Sequence, residues 1–143
     1  MEVVIFCGIQ ASGKTTFYQE RFASTHARVS LDVVRSRDRE QSLVKRHLAE
    51  RVPFVVDNTN VTRADRARYI SAGRAAGFRV IGYYFPTDPR KAFERNRKRP
   101  GKENIPAGGL FGTAKRLQEP VLDEGFDELH RVELVENGGF KVT

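Results

Sequence analysis

Gly8-Ile9-Gln10-Ala11-Ser12-Gly13-Lys14-Thr15 follows directly on an apolar run, Val3-Val4-Ile5-Phe6-Cys7. The run reads as a buried strand, and the eight residues after it have the G-x-x-x-x-G-K-[ST] spacing of a phosphate-cradling loop. That spacing has a mechanical reason. Glycines let the backbone curl so that successive N–H groups point at phosphate oxygens. The lysine then reaches the β/γ-phosphates, and the Ser or Thr hydroxyl is placed to hold Mg²⁺. A helix opening near Lys14 adds its positive end to the same spot. Gly8, Gln10, Ala11, Ser12, Gly13, Lys14, Thr15 and Thr16 are therefore the expected contacts of a nucleoside triphosphate, taken as ATP, with Thr15 also expected on Mg²⁺. The bland alternative is a glycine-rich turn without nucleotide, which the preceding strand disfavours.

The 143 residues predict one domain, 1–143, built on one core. Hydrophobic residues at 39% beside 30% charged ones describe an ordinary globular composition. A single cysteine, Cys7, excludes a disulfide framework and fits a reducing compartment. No basic leader precedes the first strand, and no apolar run is long enough to cross a bilayer, so the expectation is a cytoplasmic chain without a membrane partner. The charge is uneven. Residues 1–118 hold 23 Lys+Arg against 11 Asp+Glu, whereas residues 119–143 hold 2 against 7. Arg90, Lys91, Arg95, Arg97, Lys98, Arg99 and Lys102 crowd one short stretch. Such a run is ordinarily a solvated helix face; in a phosphate-binding chain it also suits contact with an anion.

Short β-like runs alternate with helical stretches, which predicts an α/β fold with a parallel sheet flanked by helices. The expected strands are Val3–Cys7, Arg28–Leu31, Pro53–Asp57, Phe78–Phe85 and Arg131–Val135, the last turning at Asn137-Gly138-Gly139 into a hairpin with Phe140–Val142. Expected helices run from Lys14 to about Ser24, from Asp32 to Glu50, and from a Thr62 cap to about Ala76, closed by Gly77. Asp88-Pro89 opens the helix carrying the basic cluster. A loop over 98–106 follows, then a helix to Glu119 weakened by Gly108, Gly109 and Gly112. The sum resembles a P-loop NTPase-type sheet, adenylate-kinase-like, and with it a basic lid is expected at about 90–106.

In open α/β sheets ligands bind beyond the carboxyl ends of the strands. The second predicted strand ends at Leu31-Asp32 and the third at Asp57-Asn58-Thr59-Asn60, so both acids are expected beside Lys14 and Thr15. Asp57 is expected to hold a Mg²⁺-bound water or the Thr15 hydroxyl; otherwise it is a strand-end acid with Asn58 and Asn60 as turn formers. No Glu follows Asp57, which disfavours a motor-type ATPase, and no N-K-x-D segment points to guanine. Asp32 and Arg35 have the spacing of one helical turn and hence one face. Asp32 is either a helix cap or the acceptor of a proton from an attacking hydroxyl. Arg35 is either a surface side chain or a planar fork for an acceptor's phosphate or carboxylate. Arg95 and Arg99, one turn apart beside the loop, suit a lid carrying transition-state arginines, and spacing alone does not separate them from Arg97. His26, His47 and His130 lack metal-ligand spacing. Tyr83-Tyr84 reads as packing or as a base contact. Arg63, Arg66, Arg68 and Arg74 read as a solvated face or as a track for a nucleic-acid backbone.

Together, Gly8 to Thr15, Asp32-x-x-Arg35, Asp57-Asn58-Thr59-Asn60 and Arg95-Asn96-x-x-Arg99 resemble the kinase domain of phage-type polynucleotide kinases and their P-loop kinase relatives. The resemblance extends over about residues 1–118. It implies transfer of the γ-phosphate of ATP to the 5′-hydroxyl of a nucleic acid, with Asp32 as general base, Arg35 on the acceptor's 3′-phosphate, and Arg95 and Arg99 reaching the donor. Relatives with this motif order also phosphorylate small molecules, other RNAs or proteins, so a kinase for a small anionic metabolite or nucleoside-like acceptor, phosphorylated or not, stands as the second expectation. A nucleotide-binding regulator without transfer activity is the third. Oligomeric state is not fixed by the sequence.

Overall fold

The computed structural model describes residues 1–97, 107–135 and 137–143. Its strands are β1 (Glu2–Cys7), β2 (Ala27–Val29), β3 (Phe54–Val56), β4 (Arg79–Tyr84), β5 (Glu128–Leu134) and β6 (Phe140–Val142). Its helices are α1 (Lys14–Arg21), α2 (Leu31–Val34), α3 (Arg37–Ala49), α4 (Arg63–Ala75), α5 (Pro89–Arg97) and α6 (Ala107–Arg116). The strands form one sheet in the order β2-β3-β1-β4-β5-β6. The first five run parallel and β6 returns antiparallel to β5.

β1 lies in the middle of this order, buried on both faces, which is why its sequence is an unbroken apolar run. Alternate residues feed two cores. Val3 and Ile5 pack with Val56, Tyr69, Ile70 and Phe126 on one face; Val4 and Phe6 pack with Phe17, Phe22, Val55 and Phe85 on the other. A Cβ on Gly73 would lie 3.1 Å from Val3 and 3.3 Å from Val80, so the glycine lets α4 sit close on the sheet.

The parallel sheet, its flanking helices and the terminal hairpin match the expectation, and several boundaries move. β5 starts at Glu128 rather than Arg131, because Glu128, Leu129 and His130 already pair with Ile81, Gly82 and Tyr83. The single helix expected over 32–50 is two helices. Arg35 turns left-handed (φ 65°) and ends α2, its N–H donating to Leu31 O at 2.8 Å. Ser36 then starts α3 by accepting a hydrogen bond from Arg39 N at 3.0 Å. Asp32 and Arg35 therefore do not share a continuous helical face. Nor does Asp32 occupy the cap position, which is Ser30. Thr62 and Asp65 form a reciprocal cap on α4, and Gly77 (φ 78°) follows its end, as expected.

The arginines of α4 carry the largest correction. Arg66 is 0% exposed and is not part of a solvated face. Its Nε and Nη2 each donate at 2.9 Å to Glu124, whose side chain is 2% exposed. Its Nη1 donates to Asn60 O at 2.8 Å. Arg63 meets Asp123 at 3.3 Å, and Arg74 meets Asp127 at 3.7 Å. Part of the acidic C-terminal region thus folds back as internal counter-charge for α4. Breaking one partner of a buried pair leaves a charge uncompensated. Glu124→Ala is therefore expected to lower stability by about 3–5 kcal/mol, read from denaturant midpoints. A loss of less than about 1 kcal/mol, the range of an exposed pair, would show that this bridge does not hold the segment down.

Candidate functional site

The phosphate loop joins β1 to α1 and needs its glycines at specific points. A Cβ on Gly8 would lie 2.9 Å from both Phe85 Cβ and Ser12 Oγ, so no larger residue fits where the loop leaves the sheet. Gly13 precedes α1 with φ 97°, a left-handed backbone that favours glycine. Ala11 (φ 60°) takes the same region at a cost of roughly 1–2 kcal/mol. Lys14 is buried beneath the loop, its Nζ donating to Gly8 O at 2.9 Å, Ile9 O at 2.7 Å and Ser12 Oγ at 3.3 Å. Ile9 and Ala11 pack with Ala92 of α5 and Leu110 of α6, and Gln10 Nε2 donates to Thr113 Oγ1 at 3.1 Å. Both helices flanking 98–106 are thereby fastened to the loop.

The end of β3 lies beside it because β3 is the hydrogen-bonded neighbour of β1. Asp57 is 5% exposed, and its Oδ2 accepts from Thr15 Oγ1 at 3.0 Å. Thr59 O accepts from Gly8 N at 2.9 Å, and Asn60 Nδ2 donates to Phe6 O at 2.8 Å. Asn58 reaches the other way: its Oδ1 accepts from Leu31 N at 2.9 Å, and its Nδ2 donates to Glu40 Oε2 at 2.7 Å. Asn58 and Asn60 are cross-ties between elements rather than simple turn formers. Glu40, fully buried on α3, also accepts from Tyr69 Oη at 2.5 Å and Arg37 Nη1 at 2.8 Å. Burial, with Glu40 beside it, pushes the Tyr69 hydroxyl pKa well up, so it stays a donor.

Asp32, on the first turn of α2, lines the same crevice as Gln10, Gly13, Lys14, Thr15, Thr16 and Asp57. Arg35 is exposed at the end of that short helix. Arg95 donates from Nε to Ala11 O at 2.8 Å and so touches the phosphate loop. Arg97 turns instead to Glu94 at 3.3 Å and to the ring of Phe93. Arg99 and most of the expected lid, 98–106, lie outside the described residues. On the far side of the loop, a second cleft is lined by Ala11, Gly13, Thr16, Arg95, Leu134 and Phe140.

Tyr83 packs among Phe6, Phe17 and Phe22 and stacks on His130, as its packing reading expects. Tyr84 lines a cleft with Lys91 and Arg95. His26 pairs with Glu2 and His130 with Glu128, and no metal-ligating group of three His, Cys, Asp or Glu occurs among the described residues. Burial pushes the Cys7 thiol up to about 11, although Arg66 and Lys14 pull it down, so it remains a protonated core side chain. One residue of the site escaped the sequence reading. Arg28 of β2 donates from Nε to Asp57 Oδ2 at 2.8 Å and from Nη2 to Thr15 Oγ1 at 3.3 Å. The available signal was a cation inside a short strand whose neighbours, Ala27 and Val29, are apolar.

The cross-ties predict a measurable cost. Asn58→Ala removes the acceptor of Leu31 N–H and one donor to buried Glu40, and is expected to destabilise by about 1–3 kcal/mol. Thermal unfolding checks this, and an unchanged melting temperature would contradict the role given to Asn58.

Comparison with known proteins identifies the fold that carries this site. The family model described as an AAA domain matches residues 3–120. The bifunctional polynucleotide phosphatase/kinase of Schizosaccharomyces pombe is 22% identical over 135 residues, covering 92% of this chain. The chain spans only about a third (33%) of that curated relative's length. Among solved structures, Chaetomium thermophilum Kti12 in complex with ADP-AlF3 is 18% identical with a TM-score of 0.69, covering 95% of this chain and 92% of that one. A gluconokinase from Sinorhizobium meliloti is 16% identical with a TM-score of 0.65, covering 94% and 83%. The fold is that of the P-loop kinases.

Proposed function

This chain belongs to the AAA domain family, and on that premise we propose that it is an ATP-dependent kinase moving the γ-phosphate to a hydroxyl acceptor, foremost the 5′-hydroxyl of a polynucleotide. The observation that carries the reading is the meeting of Asp32 with Lys14, Thr15 and Asp57 at one crevice. A basic phosphate loop on one side and an exposed carboxylate on the other is what a reaction between a triphosphate and an alcohol requires. We take residues 1–143 as one kinase domain with a lid at about 90–106; a cytoplasmic location fits its lone cysteine. Among the described residues no helix is long and apolar enough to cross a membrane.

The acceptor O–H gives its proton to the Asp32 carboxylate as the oxygen bonds to the γ-phosphorus. The bond from that phosphorus to the β,γ-bridging oxygen breaks, and ADP leaves with the electron pair. A loose transition state demands positioning and charge neutralisation more than a strong base. Lys14 and the loop N–H groups supply the neutralisation from below, with Arg95 and Arg99 as lid cations. Thr15 Oγ1 and Asp57 Oδ2 are hard oxygen donors 3.0 Å apart, and they suit Mg²⁺. When bound, the ion neutralises charge developing on the β- and γ-oxygens. Arg35 holds an acceptor phosphate, and the cleft at Thr16, Arg95 and Phe140 accommodates the nucleoside end of ATP.

Two features favour a polynucleotide: the excess of Lys and Arg over residues 1–118, and the similarity to a polynucleotide phosphatase/kinase. The second reading, a small anionic acceptor, is favoured by the likeness to a gluconokinase. γ-Labelled ATP with Mg²⁺ and oligonucleotides ending in a 5′-hydroxyl or a 5′-phosphate separates them. Label is expected on the first oligonucleotide alone and to fall roughly 10²–10⁴-fold in Asp32→Asn with ATP affinity kept. Label only in a small-metabolite pool selects the second reading, and full turnover by the variant removes Asp32 as base.

A further inference from the structure

Arg28 has no part in the phosphoryl transfer derived above, yet it contacts two residues that line the crevice, Thr15 and Asp57. Its guanidinium spans Asp57 Oδ2 and Thr15 Oγ1, at 2.8 and 3.3 Å, and those two oxygens are themselves 3.0 Å apart. The Arg28 side chain is 24% exposed and that of Asp57 only 2%. The ring of Tyr18 backs the guanidinium, 6.0 Å from its carbon to the centroid. One cation thus straddles both oxygens that the proposed function gives to magnesium.

We propose that Arg28 is the resident counter-cation of the metal position. It neutralises Asp57 in the nucleotide-free protein, and a divalent ion enters only together with the triphosphate. The inference rests on the reading of Thr15 and Asp57 as metal ligands. Arg28 is paired with Asp57 at 2.8 Å, so the charge of that carboxylate is already matched. A bare divalent ion would add two positive charges to a partly buried site, and it would have to separate Arg28 from its carboxylate. Mg²⁺ sheds its water reluctantly and is ordinarily held by one or two carboxylates plus substrate phosphates. The triphosphate supplies the missing negative charge and gives the displaced guanidinium a new anionic partner.

Mn²⁺ serves as the probe, titrated into nucleotide-free protein while the free-ion EPR signal is followed. Arg28→Ala is expected to bind Mn²⁺ on the order of tenfold or more tightly than the natural chain. The double variant R28A/D57N is expected to return to the natural level, which locates the ion at Asp57. Natural and R28A proteins binding Mn²⁺ equally would overturn the inference, because a merely structural arginine lowers the melting temperature without changing metal affinity. If R28A does not fold, R28Q, neutral and close in length, is read in the same way. The magnesium dependence of ATP binding in Asp57→Asn separates the two levels. If the dependence persists, the metal reading fails and this inference with it. If it is lost while the Arg28 variants bind Mn²⁺ no better than the natural chain, only the inference fails.

Discussion

The hydrogen bond from Thr15 Oγ1 to Asp57 Oδ2 joins the first turn of α1, just past the phosphate loop, to the end of β3. It exists because β3 lies directly against β1, which carries the phosphate loop. Two neighbouring ties fix the same junction, Gly8 N to Thr59 O and Asn60 Nδ2 to Phe6 O. A fourth, from Leu31 N to Asn58 Oδ1, extends it to the helix bearing Asp32. Four consecutive residues, Asp57 to Asn60, therefore set the distance between the phosphate side and the exposed carboxylate side of one crevice. Misplacement of a reacting group by about 1 Å can cost on the order of 10²-fold in rate, so this density of ties fits a site that must hold two reactants in line.

Charge is distributed to the same end. Arg66 of α4 is matched inside the fold by Glu124, while the exposed Arg63 and Arg74 meet Asp123 and Asp127 at the surface. Arg37 is absorbed by Glu40, and Arg28 by Asp57. The acidic C-terminal region is thus a stabilising partner of the sheet's own helix. Among the described residues, Arg95 stands beside the phosphate loop and Arg35 at the exposed end of α2.

The sequence made the sheet and the phosphate loop legible because both depend on local signals: an apolar run, a glycine spacing, a cap at Thr62, a stop at Gly77. It also placed Asp32 and Asp57 at strand ends, and adjacency in a parallel sheet brought them to Lys14. Arg66 was misread because burial of an arginine is decided by Glu124, 58 positions away. Arg28 was missed for the same reason, since its partner lies on another strand. The break at Arg35 was hidden by continuous charge and apolar spacing on both sides. Its one local clue was Ser36 ahead of an acidic first turn, the start signal of α3.

The central claim is that donor and acceptor meet between Lys14 and Asp32. A crystal structure of the chain with Mg²⁺, ADP–aluminium fluoride and a short oligonucleotide ending in a 5′-hydroxyl tests it most directly. The account predicts that hydroxyl within hydrogen-bonding distance, about 2.6–3.2 Å, of the Asp32 carboxylate and apical to the aluminium, opposite the ADP oxygen and perpendicular to the fluoride plane. An acceptor bound on another face, or Asp32 turned out of the crevice with the analogue in place, would contradict it.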